Sequence, residues 1–161
     1  MRQAALLDAH AYEDVEADTG ATGQAAAVVA LAAVSQGLGA AMHGSAGVVA
    51  GAVAALLGWV VWAGVTYVIG DKILGGTATW GELLRTLGFA QSPGVLGVLA
   101  IVPGFGGLVR LALAVWILIA GIIAIRQALD FSTGKAVLTA VIGWLTLAIP
   151  LLLLLRVAGT P

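Results

Sequence analysis

The stretch Leu108–Gln127, LVRLALAVWILIAGIIAIRQ, carries one arginine near each end and no charge between them. As an α-helix it would run about 30 Å at 1.5 Å per residue, the thickness of a bilayer's hydrocarbon core. It is apolar all round, so no face is left for water, and a helix of that kind belongs in lipid or deep inside a large protein. The rest of the chain decides between these. Of its 161 residues 61% are hydrophobic and 9% charged, and the mean hydropathy is +1.08. Soluble domains carry about 25% charge because they must present a wettable surface. This chain is expected to be all-α and to lie in a membrane as a single domain over 1–161.

Working outward from that helix, the pattern predicts five membrane segments. The first is about 24–42, the second about 46–69, the third 93–107, the fourth 108–127 and the last 137–155. His43, Gly44 and Ser45 form a short turn, and Trp59, Trp62 and Tyr67 are placed for the headgroup belt. The third segment is short, rich in glycine and interrupted by Pro103, so it is expected to be irregular. Pro150 should bend the last segment near its end. Residues 1–23 form a polar leader in which Asp8 caps a short helix lying beside the membrane. Between Asp71 and Ser92, Thr79 and Glu82 have capping-box spacing. The helix they open carries Trp80, Leu83, Leu84 and Leu87 on one side and Glu82, Arg85 and Thr86 on the other. It reads either as an interfacial amphipathic helix or as a loop helix packed on the spans. With five crossings, Arg2, Lys72, Arg85, Arg126 and Lys135 share one side while Arg110 and Arg156 lie at the other. The positive-inside rule then puts the N-terminus in the cytoplasm and the C-terminus outside.

Several function classes lose their support. A net charge of −1 with scattered basic residues offers no nucleic-acid surface. There is no cysteine, and His10 and His43 lack neighbours at ligand spacing, so neither a metal nor another cofactor is expected. No acid–base pair, serine elbow or phosphate loop is present, which argues against an enzyme. Arg110 is the deepest charge and the one candidate for a functional ionisable group, set against simple snorkelling to the interface. Small residues four apart, Gly47, Gly51 and Ala55 on the second span, predict close helix packing.

The order of short motifs resembles bacterial members of the Yip domain family (Ypt/Rab-interacting proteins). These motifs are Leu7-Asp8-Ala9-His10-Ala11-Tyr12-Glu13 with Glu16, Asp18 and Ala21 to Gln24; the run from Thr79 to Pro93; Trp116; and the turn Asp130 to Ala136. The resemblance implies five membrane segments with the N-terminus in the cytoplasm and a motif role for Leu87, Gly88, Phe89 and Pro93, Phe89 standing where tyrosine is usual. It also implies residence in a bacterial cytoplasmic membrane. In eukaryotic members it implies Rab-type GTPase binding, which the short leader here does not favour. The expected function is a non-enzymatic membrane protein that organises membrane or binds other membrane proteins or copies of itself. A subunit of a transport or permeation complex is the alternative.

Overall fold

The computed structural model describes residues 1–41 and 48–158, so the turn expected at His43 to Ser45 and the packing residue Gly47 lie outside the described residues. The chain is helical throughout: α1 (Arg2–Ala5), α2 (Ala9–Ala17), a 3₁₀ turn (Thr19–Ala21), α3 (Thr22–Ala41) and α4 (Val48–Tyr67), which continues into a π-helical turn (Val68–Ile73). Then come α5 (Trp80–Phe89), a 3₁₀ helix (Ser92–Ile101), α6 (Gly106–Ala128) and α7 (Thr133–Ala158). No strand occurs among the described residues. Among the described residues four stretches are long and apolar enough to cross a membrane: Thr19–Leu38, Val49–Ile73, Trp80–Ile101 and Gly106–Ala128. α7 adds a continuous helix of 26 residues that runs through Pro150.

The third of these stretches differs from the one expected at 93–107. It begins 13 residues earlier, at Trp80, and joins α5 to the 3₁₀ helix. The physical reason is length. Ten α-helical residues rise about 15 Å and ten 3₁₀ residues about 20 Å, because 3₁₀ geometry advances 2.0 Å per residue instead of 1.5 Å. Together they match a bilayer core, which the 15 residues 93–107 would not. Pro103 and Gly104, with Gly104 at φ +81°, then form the turn into α6 rather than part of a span.

α5 also departs from an interfacial helix with one wet side. The capping box is formed, with Glu82 N–H on Thr79 Oγ1 and Thr79 N–H on Glu82 Oε2. Beyond that first turn, however, both sides are covered. Leu83 and Leu87 are buried, and so are Arg85 and Thr86 on the side read as polar. The helix is packed among α2, α3, α4 and α6. Trp59 and Trp62 are half-buried and pack against this core, and Trp59 Nε1 donates to the Leu84 carbonyl at 3.0 Å.

The 3₁₀ helix owes its form to a sequence period of three. In Ser92–Ile101, SPGVLGVLAI, the small residues Gly94, Gly97 and Ala100 recur every third position. Residues three apart eclipse each other in a 3₁₀ helix, so these three make one smooth buried face while Leu96, Val98 and Leu99 point outward. That face lies directly on α3. A Cβ on Gly97 would sit 2.5 Å from Gln36 Cγ and 2.8 Å from Gln36 Cα, and one on Gly94 would meet Ala32 Cβ at 3.0 Å. Ser35 completes the contact. Its hydroxyl donates to the Val95 carbonyl at 2.5 Å and accepts from the Val98 N–H at 2.9 Å, spanning one 3₁₀ turn. Backbone polar groups at membrane depth must find partners inside the protein, and this hydroxyl serves two of them.

Candidate functional site

A cluster of titratable groups gathers at the end of the bundle where α2, the 74–79 loop, α5, the end of α6 and the start of α7 meet. The loop is tied there at two points: Thr77 Oγ1 donates to Asp130 Oδ2 at 2.8 Å, and Lys135 Nζ reaches the Leu74 carbonyl at 3.5 Å. Leu129, fully buried, fills the slot left by Gly70 and Gly76, where any Cβ would collide with it. α6 ends in a Schellman turn: Phe131 N–H bonds the Arg126 carbonyl at 3.0 Å and Asp130 N–H the Gln127 carbonyl at 3.1 Å. Asp130 occupies the left-handed position at φ 53°, which a non-glycine residue adopts at a cost of about 1 kcal/mol.

The leader does not lie apart from this bundle; it is docked along it. Asp8 caps α2 through His10 N–H. At the far end of α2, Arg85, only 6% exposed, takes the last carbonyls: its Nε donates to Val15 O at 3.1 Å and Glu16 O at 3.2 Å, and its Nη2 also donates to Glu16 O. A guanidinium at a helix C-terminus meets both the orphan carbonyls and the negative end of the dipole. Gln127 Nε2 donates to Glu13 Oε1 at 2.6 Å, and Gln127 Oε1 accepts from Arg126 Nε at 3.0 Å. Further down, Trp116 Nε1 donates to the Ala5 carbonyl at 2.7 Å, halfway along α6. Tyr12, fully buried, closes the leader on itself by donating to the Ala4 carbonyl at 2.9 Å, and burial pushes its phenol pKa upward.

Between the docked leader and the bundle lies a polar cleft of about 420 Å³, lined by Glu13, Glu16, Glu82, Arg126, Gln127 and Asp130 among others. Partial burial pushes the Glu16 carboxyl up, to about 7; Glu82 and Asp130 add to this, Arg85 opposes it and Glu13 adds a little more. The sequence pattern singles out none of these acids as a site. They come from three separate segments, and only the docking of α2 brings them together. Among the described residues no set of His, Asp and Glu is arranged to hold a metal ion.

The residues that the sequence does single out fall elsewhere. Leu87, Gly88, Phe89 and Pro93 are all buried at the junction of α5 with the 3₁₀ helix. Gly88 touches α3 so closely that a Cβ there would lie 2.7 Å from Ala25 Cβ. Gly51 is exposed, with none of the described residues within 4 Å of the place a Cβ would take, and Ala55 is half-buried. Arg110 sits at the opposite end from the acidic cleft. It lines a cavity of about 190 Å³ with Gln36, Gly97 and Ala100, and also borders the Pro103–Gly104 turn.

No curated protein and no solved structure matches this chain. The family model of the Yip1 domain matches residues 9–155, from the start of α2 into α7, and so takes in the docked leader helix, the buried α5 and the 3₁₀ helix. The chain therefore belongs to the Yip1 domain family, and its four long apolar helices are those of a membrane protein.

Proposed function

We propose that this protein is a non-enzymatic integral membrane protein that organises membrane or binds other membrane proteins, including copies of itself. One observation carries the reading: the wall helices leave their apolar surface unused. Only 17% of an 18-residue apolar window in Val49–Ile73 and 22% of one in Gly106–Ala128 are buried. Val49, Val53, Leu57, Leu108, Leu111 and Leu118 all face outward. Lipid satisfies such faces, and a neighbouring transmembrane helix satisfies them equally well by close packing. We place five crossings in the bilayer, counting α7, with the N-terminus in the cytoplasm. The docked leader, the 74–79 loop and the α6–α7 turn then share the basic side. A bacterial cytoplasmic membrane is the setting that the charge bias fits.

Residue-specific photocrosslinking in native membranes tests this. Probes at Val53, Leu57 and Leu111 are expected to yield discrete protein adducts identifiable by mass spectrometry. Recovery of the uncrosslinked monomer alone from every position would overturn the reading. The transport alternative rests on a different observation, the cavity that joins Arg110 to Gln36 beside the irregular third segment. It predicts solute flux in proteoliposomes that is lost in Arg110→Ala. Tight vesicles across a solute panel would remove it.

A further inference from the structure

The leader's docking is the feature least explained by a role in packing. A segment held only by apolar contact would need no chemistry, yet residues 1–17 are attached at three heights by hydrogen bonds. Ala5 is held by Trp116, Glu13 by Gln127, and the α2 terminus at Val15 and Glu16 by Arg85. Two of the three attachments flank the acidic cleft. Four carboxylates face it, Glu13 and Glu16 from α2, Glu82 from α5 and Asp130 from the α6 turn, against the guanidinium of Arg126 from α6. Arg85 from α5 faces the same terminus but spends its donors on backbone carbonyls, not on a carboxylate. The remaining charged groups on the elements packed against α2 sit differently. His10 Nδ1 pairs with Glu13 Oε2 at 3.3 Å on an exposed surface. Arg2 in α1 is exposed and lines no part of the cleft, and Asp18 turns back to cap the 3₁₀ turn through Gly20 N–H.

We propose that the leader is a proton-responsive strap: protonation of Glu16 in the acidic cleft holds α2 against α5 and α6, and its ionisation releases the leader, exposing the Trp116 face of α6. Docking partly buries the Glu16 carboxyl and sets it beside the carboxylates of Glu82, Asp130 and Glu13, so its ionised form opposes docking and its protonated form permits it. Glu16 is the pivotal group, because its own carbonyl is in the Arg85 clamp while its side chain is among the acids. Its carboxyl is raised to about 7 when docked, against an ordinary value of 4.5. The stabilisation is therefore fully present below about 4.5 and lost as the pH rises through about 7. Glu16 is partly solvated, so screening cuts the effect to on the order of tenfold in the docking equilibrium between pH 5 and pH 8. Once the strap lifts, the indole of Trp116 and the buried Arg85 lose their carbonyl partners and become available to another polypeptide.

The chain contains no cysteine, so paired cysteines can be introduced cleanly for nitroxide labelling. One pair, Leu6→Cys with Ser132→Cys, joins the leader to the α6–α7 turn. A reference pair, Val53→Cys with Leu111→Cys, stays within the bundle. Distances are measured by pulsed electron–electron double resonance in phosphatidylcholine and phosphatidylglycerol nanodiscs at pH 5 and pH 8. The leader pair is expected to give one narrow distribution at pH 5 and a second, broad population at pH 8, with the ratio of free to docked rising about tenfold. Glu16→Gln should remain narrow at both values, and Arg85→Ala should be broad at both. Superimposable leader distributions in the unmodified background would overturn the proposal. So would a pH step that survives in Glu16→Gln, or a reference pair that moves with the leader pair, since the bundle as a whole would then be titrating.

Discussion

The stretch Trp80–Ile101 and the stretch Val49–Ile73 are similar in length and both apolar enough to cross a bilayer, yet 61% of an 18-residue apolar window in the first is buried within the chain and 17% of one in the second. Hydropathy is not what separates them, because the more exposed one is the more hydrophobic of the two, at 2.0 against 1.2. In lipid an apolar side chain gains little by turning inward, since the solvent outside is as apolar as the core. What draws a segment to the centre of such a bundle is the absence of side chains, which permits close backbone approach, and the presence of polar groups that need partners. Trp80–Ile101 has both: Gly88, Gly94 and Gly97 against α3, and Arg85 and Thr86 satisfied internally. Val49–Ile73 has small residues too, but its Gly51 and Gly58 face open space.

The largest effect expected from this contrast is at Gly97. A methyl group there would meet the Gln36 backbone, which cannot swing aside as a side-chain tip can. Gly97→Ala should cost about 3 kcal/mol, the upper end for overpacking, a large share of a total stability of roughly 5–15 kcal/mol. Chemical or thermal unfolding in detergent, followed by tryptophan fluorescence, would measure it. Gly88→Ala follows at about 2 kcal/mol, because a Cβ there would lie 2.7 Å from Ala25 Cβ and 3.2 Å from the Ala25 backbone, a looser approach than Gly97 makes to the Gln36 backbone. An unchanged midpoint for both would mean that the α3 contact is not what fixes the central segment.

Ser35→Ala comes next, at about 1 kcal/mol. The hydroxyl serves two backbone groups, but hydrogen bonds in membrane proteins are individually modest because the disrupted state finds other partners. Its sharper signature is local. Amide exchange at Val98 should accelerate while that of the α6 core does not. An equal rise across both helices would show that Ser35 supports the bundle at large and not the 3₁₀ turn in particular.

Much of this architecture can be read in the sequence, and the parts that cannot share a cause. The helix over 108–127 is legible because twenty apolar residues leave no other solution; the structure extends it to Gly106–Ala128. The capping box at Thr79 and Glu82 is legible because it is local, three residues apart. The 3₁₀ helix is written in the three-residue period of Gly94, Gly97 and Ala100. Pro103 and the scattered glycines point to a break and so mask that spacing. The docked leader leaves almost no signal: Arg85 recognises carbonyls some 70 positions away, and a backbone carbonyl has no residue identity to detect. The acidic cleft inherits that opacity, since Glu13 and Glu16 join Glu82 and Asp130 only through the docking.

Gly51 offers the smallest change and the most direct check on the exposed half of the comparison. Among the described residues nothing lies within 4 Å of a side-chain carbon placed there, so Gly51→Ala loses no contact and creates no clash with them. Alanine also restricts the unfolded backbone and favours the helix by up to about 1 kcal/mol, so the monomer should be unchanged or slightly more stable in an unfolding titration. A loss of more than about 1 kcal/mol would mean that this face is covered, contrary to the contrast drawn with Gly97. The larger Gly51→Leu separates the two ways in which an open small-residue face can be used. If only lipid lies against it, the bulkier side chain is accommodated and crosslinking from Val53 is unaltered. If a second transmembrane helix packs there, its backbone must approach to where the leucine now stands. The Val53 adducts should then disappear while the monomer's stability holds.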